Sequence, residues 1–292
     1  MKFKIKTPPE FSYDYSLAFL QRSPKEILHV VNEGVVRKLI KIENTPIVFA
    51  VAEGEQSLDV EILTPGASPD QAEYVRTYVN EWFDLDTDLK PFYMLAKKDE
   101  VLRSIVKKFH GYRIMGQPDL FESLIWAVLG QQINVPFAYS IKQRFVERYG
   151  ERHEHDGHAY YLFPTPERVA GINPEELIPL QFSRQKSAYT IGIAKAFVDK
   201  HVSRQMFHGR PLAEAKEELM KLKGIGNWTA NYALMRTFRY PDAFPLEDVA
   251  LHKALRIQMN MRNKPTLERV KKIFRKYKGW EAYATLYLWK SL

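Results

Sequence analysis

Two helical patterns meet at Leu222-Lys223-Gly224-Ile225-Gly226-Asn227-Trp228-Thr229-Ala230. The first pattern covers Ala213–Lys221, and the second runs from Thr229 to Phe238. Two glycines with one apolar residue between them permit a tight hairpin, after which the first N–H groups of the next helix point outward. These N–H groups and the helix dipole favour an anion, and the missing Cβ atoms let a phosphate approach closely. The pattern therefore predicts a phosphate-binding turn. The alternative is a glycine-rich turn that binds no phosphate. The basic residue Lys223 within the turn makes this alternative less favourable.

The positive charge of the chain is concentrated in its last two thirds. The 292 residues include 43 Lys and Arg against 35 Asp and Glu, a net charge of +8. Residues 1–110 have 15 basic and 17 acidic side chains, whereas residues 111–292 have 28 and 18. This distribution favours a polyanion such as nucleic acid, although a basic enzyme without a nucleic-acid partner has the same charge balance.

Composition excludes several classes of protein. The chain has no Cys, so disulfides, thiolate-bound zinc and iron–sulfur clusters are ruled out. No apolar run approaches the roughly 18 residues of a membrane span. With the polar start Met1-Lys2-Phe3-Lys4, these features predict a cytoplasmic protein that does not bind membranes. A length of 292 residues, 45% of them hydrophobic, predicts two or more cores.

Strand signals are confined to the beginning of the chain. Residues 2–6 alternate between Lys and apolar side chains, and the runs Pro46–Ala52 and Ser57–Leu63 flank a turn-forming sequence. These segments predict antiparallel strands. Ser68-Pro69 then begins a helical pattern that ends near Phe83.

Beyond Pro91 only helical patterns follow. Breakers separate them at about 94–109, 119–131, 135–149, 166–171, 183–201, 211–221, 228–239, 248–260, 265–278 and 280–290. The polar stretch Arg152–His158 predicts a long surface loop, and its three His residues lack a second cluster with which to bind a metal. The sequence thus predicts an α+β fold, with a small antiparallel β-rich N-terminal domain followed by an all-helical body.

Asp248 stands 20 residues after Trp228, just before the helical run Val249–Met259. An acid in this position is typical of an ordinary helix N-cap. Glu247 could equally be the acid at this helix start. The residues alone leave open whether either acid is functional.

Several segments together resemble the helix-hairpin-helix DNA glycosylase superfamily, and within it the alkylated-base branch, DNA-3-methyladenine glycosylase II. The resemblance rests on the glycine hairpin through Tyr232 followed by Pro245-x-x-Asp248. It also includes the wedge-loop segment Phe121–Val135, the aromatic segment Trp280–Trp289 and the β-rich residues 1–90. The likeness covers nearly the whole chain.

The resemblance implies a role for each matching residue. Asp248 would be the catalytic carboxylate. Gln132 would fill the hole left by a flipped nucleotide. Base-pocket walls would be Trp228, Tyr232 and Trp289, and the DNA phosphate would be bound by Lys223, Gly224 and Gly226. Two departures stand out: Gln132 replaces a frequent apolar wedge, and Glu281 stands near the place of a usual Arg.

The resemblance also implies a two-lobed helical body behind the leading domain. The predicted boundaries are 1–90 for the α+β leading domain, 118–238 for the central lobe, and 91–117 with 239–292 for the second lobe. DNA would bind in the cleft between the helical lobes. We expect a monomer acting on double-stranded DNA with damaged bases, without a required cofactor or catalytic metal. The sequence leaves open whether the hairpin binds a monovalent cation, as the resemblance suggests.

The chemistry of base release fits these residue types. Breaking an N-glycosidic bond develops positive charge on the sugar, which a fixed carboxylate stabilises. Alkylated purines are already cationic, so they leave readily and stack favourably on electron-rich rings. The predicted reaction is hydrolysis of alkylated purines such as 3-methyladenine and 7-methylguanine from flipped nucleotides, leaving an abasic site. Alternatives are a related glycosylase for deaminated or oxidised bases, and a non-catalytic DNA-binding protein.

Overall fold

A five-stranded antiparallel sheet forms the beginning of the molecule in the computed structural model, which describes residues 1–292. Its spatial order is β1-β5-β4-β3-β2. The strands are β1 (Lys2–Lys6), β2 (His29–Asn32), β3 (Val35–Ile42), β4 (Thr45–Gly54) and β5 (Ser57–Ile62). Two helices accompany the sheet, α1 (Tyr13–Leu20) and α2 (Pro69–Phe83). The predicted antiparallel strands are confirmed, whereas α1, β2 and β3 were not predicted.

The helix α2 begins where the sequence indicates. The Ser68 hydroxyl accepts from the Gln71 backbone N–H, and the Gln71 side chain accepts from the Ser68 N–H, which forms a capping box. Val75, Val79 and Phe83 lie on the face that α2 buries against the sheet. The apolar side chains that alternate along the strands and those on one face of α2 therefore pack in one hydrophobic core.

The remainder of the chain is mainly helical. The helices are α3 (Lys90–Lys97), α4 (Leu102–Lys108), α5 (Leu120–Gly130), α6 (Val135–Tyr149), α7 (Pro166–Ala170), α8 (Pro174–Leu177), α9 (Arg184–Val198), α10 (Leu212–Met220), α11 (Asn227–Phe238), α12 (Val249–Gln258), α13 (Leu267–Phe274) and α14 (Glu281–Lys290). Short 3₁₀ turns occur at Ile178–Leu180, Arg204–Phe207 and Arg275–Tyr277. The helix predicted at 94–109 is two helices, because the Asp99 carboxylate accepts from the N–H groups of Val101 and Leu102 and begins α4 anew.

The expectation of an all-helical body with a loop at Arg152–His158 is wrong in one place. Strands β6 (Glu151–His155) and β7 (His158–Leu162) form an antiparallel hairpin around the turn Asp156-Gly157. Both turn residues have positive φ, 47° and 72°, which suits an Asp-Gly hairpin turn. Tyr160 of β7 is buried against Leu39 and Val48, so this hairpin packs on the N-terminal sheet.

Three large clusters of buried side chains hold the molecule together. One comprises the N-terminal sheet with α1 and α2, and includes Met115. A second is drawn from residues between Leu120 and Leu234. The third joins residues between Leu89 and Ile114 to residues between Met235 and Leu288. The α+β fold class is confirmed, while the exact domain boundaries stay a prediction. No helix has the length and apolar character needed to cross a membrane.

Candidate active site

The carboxylate of Asp248 is held by three donors. Its Oδ1 accepts from the Leu251 backbone N–H at 2.7 Å, so Asp248 is the N-cap of α12. The same oxygen accepts from the indole Nε1 of Trp289 at 2.8 Å. The indole Nε1 of Trp228 donates to Oδ2 at 2.9 Å. The N-cap interpretation is therefore correct, and in addition the two indoles fix the plane of the carboxylate.

The neighbouring acid has a different environment. Glu247 is exposed, and both of its carboxylate oxygens accept from the side-chain amide of Asn227, at 2.9 and 3.0 Å. It has no contact with an indole N–H. Of the two acids that the sequence left ambiguous, only Asp248 is bonded to the aromatic side chains.

The loop that carries Asp248 is fixed from both sides. The Phe244 N–H donates to Oδ1 of Asn231 on α11 at 2.9 Å. On the other side, the ring Nε2 of His252 lies 2.7 Å from the Leu246 carbonyl oxygen. These bonds place the start of α12 against α11, and so bring Asp248 to Trp228.

A continuous group of aromatic rings extends from Asp248. Trp228 and Tyr232 lie one turn apart on α11 and are stacked, with ring centroids 5.3 Å apart. Trp289 of α14 lies 6.3 Å from Tyr232. The structure thus brings together the three predicted aromatic residues and Asp248. We call Trp126, Tyr139, Trp228, Tyr232 and Trp289 the aromatic cluster.

Two members of the aromatic cluster were not predicted. Trp126 on α5 donates from its indole nitrogen to the Tyr232 hydroxyl at 3.0 Å. Tyr139 on α6 lies 4.7 Å from Trp126, between ring centroids. Buried aromatic residues on helices usually serve the core, so their sequence carried no signal of a site. Only their distance from Tyr232 identifies them.

Arginine side chains border the aromatic cluster at the end away from Asp248. Arg22, just after α1, donates from Nε to the Tyr139 hydroxyl at 2.6 Å. The Arg236 guanidinium lies 5.9 Å from the Tyr232 ring centroid. Burial alone would raise the pKa of Tyr232, but the charges of Arg236 and Arg22 and the Trp126 bond outweigh it, so that pKa lies below its ordinary value. Neither arginine was predicted as a site residue.

The predicted phosphate-binding turn lies between α10 and α11. Gly224 has φ of +95°, and a Cβ at this position would overlap the Tyr189 ring. Gly226 precedes α11, and a Cβ there would have no protein atom within 4 Å. Lys223 is exposed. The turn thus needs Gly224 for its own geometry, whereas Gly226 leaves open space at the helix N-terminus.

Gln132 lies in the turn between α5 and α6. It is exposed and has φ of +57°, a left-handed conformation that L-residues rarely adopt. Its neighbour Gln131 donates from Nε2 to the Gly224 carbonyl at 2.9 Å and to the Thr229 hydroxyl at 3.0 Å. Gln131, which the sequence did not single out, therefore joins the predicted wedge loop to the glycine turn.

Comparisons with known proteins agree with this arrangement. A family model described as HhH-GPD superfamily base excision DNA repair protein matches residues 125–279, and one described as 8-oxoguanine DNA glycosylase, N-terminal domain, matches residues 19–124. The chain is also 40% identical to a DNA-3-methyladenine glycosylase of Bacillus subtilis, over 99% of this chain and 96% of that protein. The chain belongs to the HhH-GPD superfamily of base excision DNA repair proteins.

Two further relatives extend over almost the whole HhH-GPD chain. DNA-3-methyladenine glycosylase 2 of Escherichia coli is 26% identical, with 98% of this chain and 96% of that protein aligned. The structure of a 3-methyladenine DNA glycosylase from Archaeoglobus fulgidus superposes with a TM-score of 0.84 at 25% identity, covering 98% of this chain and 97% of that chain. The predicted resemblance is confirmed, including the leading β-rich segment.

Proposed function

We propose that this HhH-GPD protein hydrolyses the N-glycosidic bond of alkylated purines in duplex DNA, with Asp248 as its catalytic carboxylate. One observation carries the proposal: a carboxylate fixed by two indole N–H groups at one end of an aromatic cluster. The similarity to proteins named 3-methyladenine glycosylases supports the choice of substrate.

In the proposed reaction, water attacks the anomeric carbon of the flipped nucleotide while the N-glycosidic bond breaks, and the water passes one proton to the Asp248 carboxylate, which releases it to solvent. The bonding electrons leave with the base, and a cationic base becomes neutral as it departs. The positive charge that develops on the sugar faces the Asp248 carboxylate. Because three donors hold that carboxylate, its orientation is set before the substrate arrives.

The aromatic rings are suited to a cationic base. Stacking a cation on an indole or phenol face contributes on the order of 0.5–2 kcal/mol. Trp228, Tyr232 and Trp289 would form the walls of this site, and their arrangement next to Asp248 supports a position of the reacting bond beside the carboxylate. An uncharged normal base gains less from these rings and is a poorer leaving group.

The DNA backbone would bind at the glycine turn. The N–H groups that follow Gly226 begin α11, the Cβ position of Gly226 is open space, and Lys223 and Gly224 complete the turn. Gln132 would enter the duplex and fill the space left by the flipped nucleotide. Its exposed, left-handed position next to Gln131 supports this role.

A monovalent cation at this turn is part of the proposal. The carbonyl oxygens of Met220 and Ile225 accept no hydrogen bond within the protein. Oxygen atoms of this kind are suitable ligands for a hard cation. The cation would hold the turn in shape for the phosphate. Weaker DNA binding after exchange of K⁺ or Na⁺ for a bulky organic cation at equal ionic strength would support it.

We propose that the enzyme is monofunctional. In the lyase-competent relatives implied by the resemblance, a Lys stands where this chain has Trp228, and its amine attacks the sugar. The Trp228 indole nitrogen instead donates to Asp248 and has no lone pair available for attack. Borohydride added during turnover is expected to trap no covalent protein–DNA adduct.

Release of oxidised bases is a second candidate, favoured by the 8-oxoguanine glycosylase N-terminal model that matches residues 19–124. One experiment separates the two. Duplex DNA treated with dimethyl sulfate and duplex DNA containing 8-oxoguanine are incubated with wild type and Asp248→Asn, and the freed bases are separated by chromatography.

We expect wild type to release methylated purines and Asp248→Asn to be slower by about 10²–10³-fold, with DNA binding retained. Release of 8-oxoguanine alone would favour the second candidate. Full activity of Asp248→Asn would exclude Asp248 from the mechanism.

A further inference from the structure

The aromatic cluster has two chemically different ends. At one end stands the Asp248 carboxylate, bonded to Trp228 and Trp289. At the other end Trp126, Tyr139 and Tyr232 meet Arg22, which comes from the leading segment of the chain. We call Arg22, Tyr139 and Tyr232 the donor end.

Hydrogen bonds fix which way the two phenols point. The Tyr232 oxygen accepts from Trp126, and the Tyr139 oxygen accepts from Arg22. A phenol that accepts one bond directs its own proton elsewhere, and neither hydroxyl donates to any protein acceptor. Neither proton is therefore committed to a protein acceptor.

No carboxylate pairs with the arginines at the donor end, where the unpaired Gln117 Oε1 also lines the adjoining cavity. No carboxylate lies within 4.0 Å of Arg22 or Arg236, and the Nε of Arg236 is buried without a partner. The nearest carboxylates around the adjoining cavity, Glu26 and Glu122, both pair with Lys142 at 2.9 and 3.6 Å. A ligand group here meets N–H and O–H donors and positive charge.

The proposed reaction orients a purine between these ends. Its N9 is bonded to the sugar and must lie beside Asp248. The C6 substituent is at the opposite end of the purine, so it points away from Asp248 along the aromatic cluster. A 6-oxo group would accept from the donor end, whereas a 6-amino group would place its own protons against donors.

We propose that Arg22, Tyr139 and Tyr232 select 6-oxopurines over 6-aminopurines among lesions of equal charge. The inference rests on the proposed function and adds a preference within it. Tyr139 donates to the 6-oxo group, and Arg22 is a positioning residue that holds the Tyr139 hydroxyl in the donating orientation. The leading segment thereby contributes to base selection.

The test uses two lesions that differ at one position. A duplex with deoxyinosine in place of deoxyguanosine is treated with dimethyl sulfate, so that it contains both 7-methylhypoxanthine and 7-methyladenine. In a buffer acidic enough to keep the N1 proton of 7-methylhypoxanthine, these bases have the same methyl group and the same charge, and differ in the 6-oxo or 6-amino group with the accompanying N1 proton. Each enzymatic release rate is divided by the uncatalysed rate of the same base.

Tyr139→Phe removes one hydroxyl, and Tyr149→Phe is its matched control. Tyr149 is a buried residue on the same helix α6, with its hydroxyl on Glu176 and outside the aromatic cluster. We expect Tyr139→Phe to lower the ratio of 7-methylhypoxanthine to 7-methyladenine release about fivefold, the effect of one hydrogen bond. Tyr149→Phe is expected to leave the ratio unchanged.

A double variant tests the positioning role. Arg22→Met is expected to lower the same ratio, and adding Tyr139→Phe to it should change the ratio by much less than in wild type, because both act through one hydroxyl. If Tyr139→Phe slowed the release of both bases equally, the inference would be overturned while the proposed function stands. Fully additive effects of the two substitutions on the ratio would have the same consequence. Absence of both bases from the wild-type products would instead reject the proposed function.

Discussion

Asp248 caps helix α12 and also accepts hydrogen bonds from two indole N–H groups. A cap is satisfied by a single oxygen, and here Oδ1 accepts from the Leu251 N–H. The indoles of Trp228 and Trp289 bond to opposite oxygens and hold the carboxylate plane. Removing one indole N–H group should therefore disturb the orientation of the Asp248 carboxylate without removing its charge.

Trp228→Phe tests this orientation. It retains an aromatic ring against Tyr232, but it loses the bond to Asp248 Oδ2 together with part of the ring face. We expect kcat for release of methylated purines to fall about tenfold, the effect of a hydrogen bond to a charged group, with DNA affinity nearly unchanged. Single-turnover assays measure the chemical step, and filter binding measures the affinity. An unchanged rate would show that Leu251 and Trp289 suffice to orient Asp248.

Part of this site could be predicted from sequence and part could not. The spacing from the glycine turn to Asp248 is local enough to be recognised as a motif. The partners of Asp248 come from 20 residues before it and 41 residues after it, and only the fold brings them together. Arg22 is 117 positions from Tyr139, and a lone Arg after a helix indicates nothing by itself.

The α10–α11 turn and the β6–β7 hairpin show what local sequence reveals about elements. The turn was predicted because two glycines between helical patterns permit backbone conformations that a tight turn needs. The hairpin was missed because Glu151–His155 is polar throughout and shows no alternation. Its Asp156-Gly157 turn was nevertheless a usable signal. Only Tyr160 packs firmly against the sheet, so apolar periodicity is weak there.

Alanine at each glycine of the α10–α11 turn should separate folding from binding. Gly224→Ala places a Cβ into the Tyr189 ring at φ of +95°, so we expect a loss of about 1–3 kcal/mol in the free energy of unfolding. Gly226→Ala meets only open space at φ of −93° and should leave stability nearly unchanged.

If phosphate occupies the open space at Gly226, Gly226→Ala should weaken binding to all duplex sequences by similar factors. Urea denaturation and salt-dependent binding assays measure the two effects. A stable Gly226→Ala protein with wild-type DNA affinity would contradict phosphate binding at this turn.

The contact between the leading segment and α5 and α6 buries several ionisable groups. Glu26 pairs with Lys142, and their attraction outweighs the effect of burial, so the pKa of Glu26 is lowered to about 2. The Nε2 of His29 donates to the Leu20 carbonyl oxygen at 2.9 Å. Burial, together with the charges of Lys38 and Lys142, lowers the pKa of His29 to about 4 against the partial opposition of Glu26. This contact is therefore sensitive to acid.

The sign of the His29 effect follows from its two pKa values. The folded pKa of about 4 lies below the ordinary value of 6.5, so the unfolded chain binds the proton more readily. The stabilisation is complete above pH 6.5 and declines as the pH falls toward 4. Between pH 7 and pH 5 the loss should be about 2 kcal/mol. Asp84 opposes it, because burial raises its pKa to about 6.

His29→Gln isolates this contribution, because Asp84 titrates alike in both proteins and cancels in the difference. Glutamine retains a donor for the Leu20 carbonyl but cannot be protonated. The free energy of unfolding is measured by urea denaturation at pH 7 and pH 5 for wild type and His29→Gln. Between pH 7 and pH 5, we expect the free energy of unfolding of wild type to fall by about 2 kcal/mol more than that of His29→Gln. A difference that does not change with pH would mean that His29 titrates normally in the folded protein, and the acid sensitivity of this contact would then lie elsewhere.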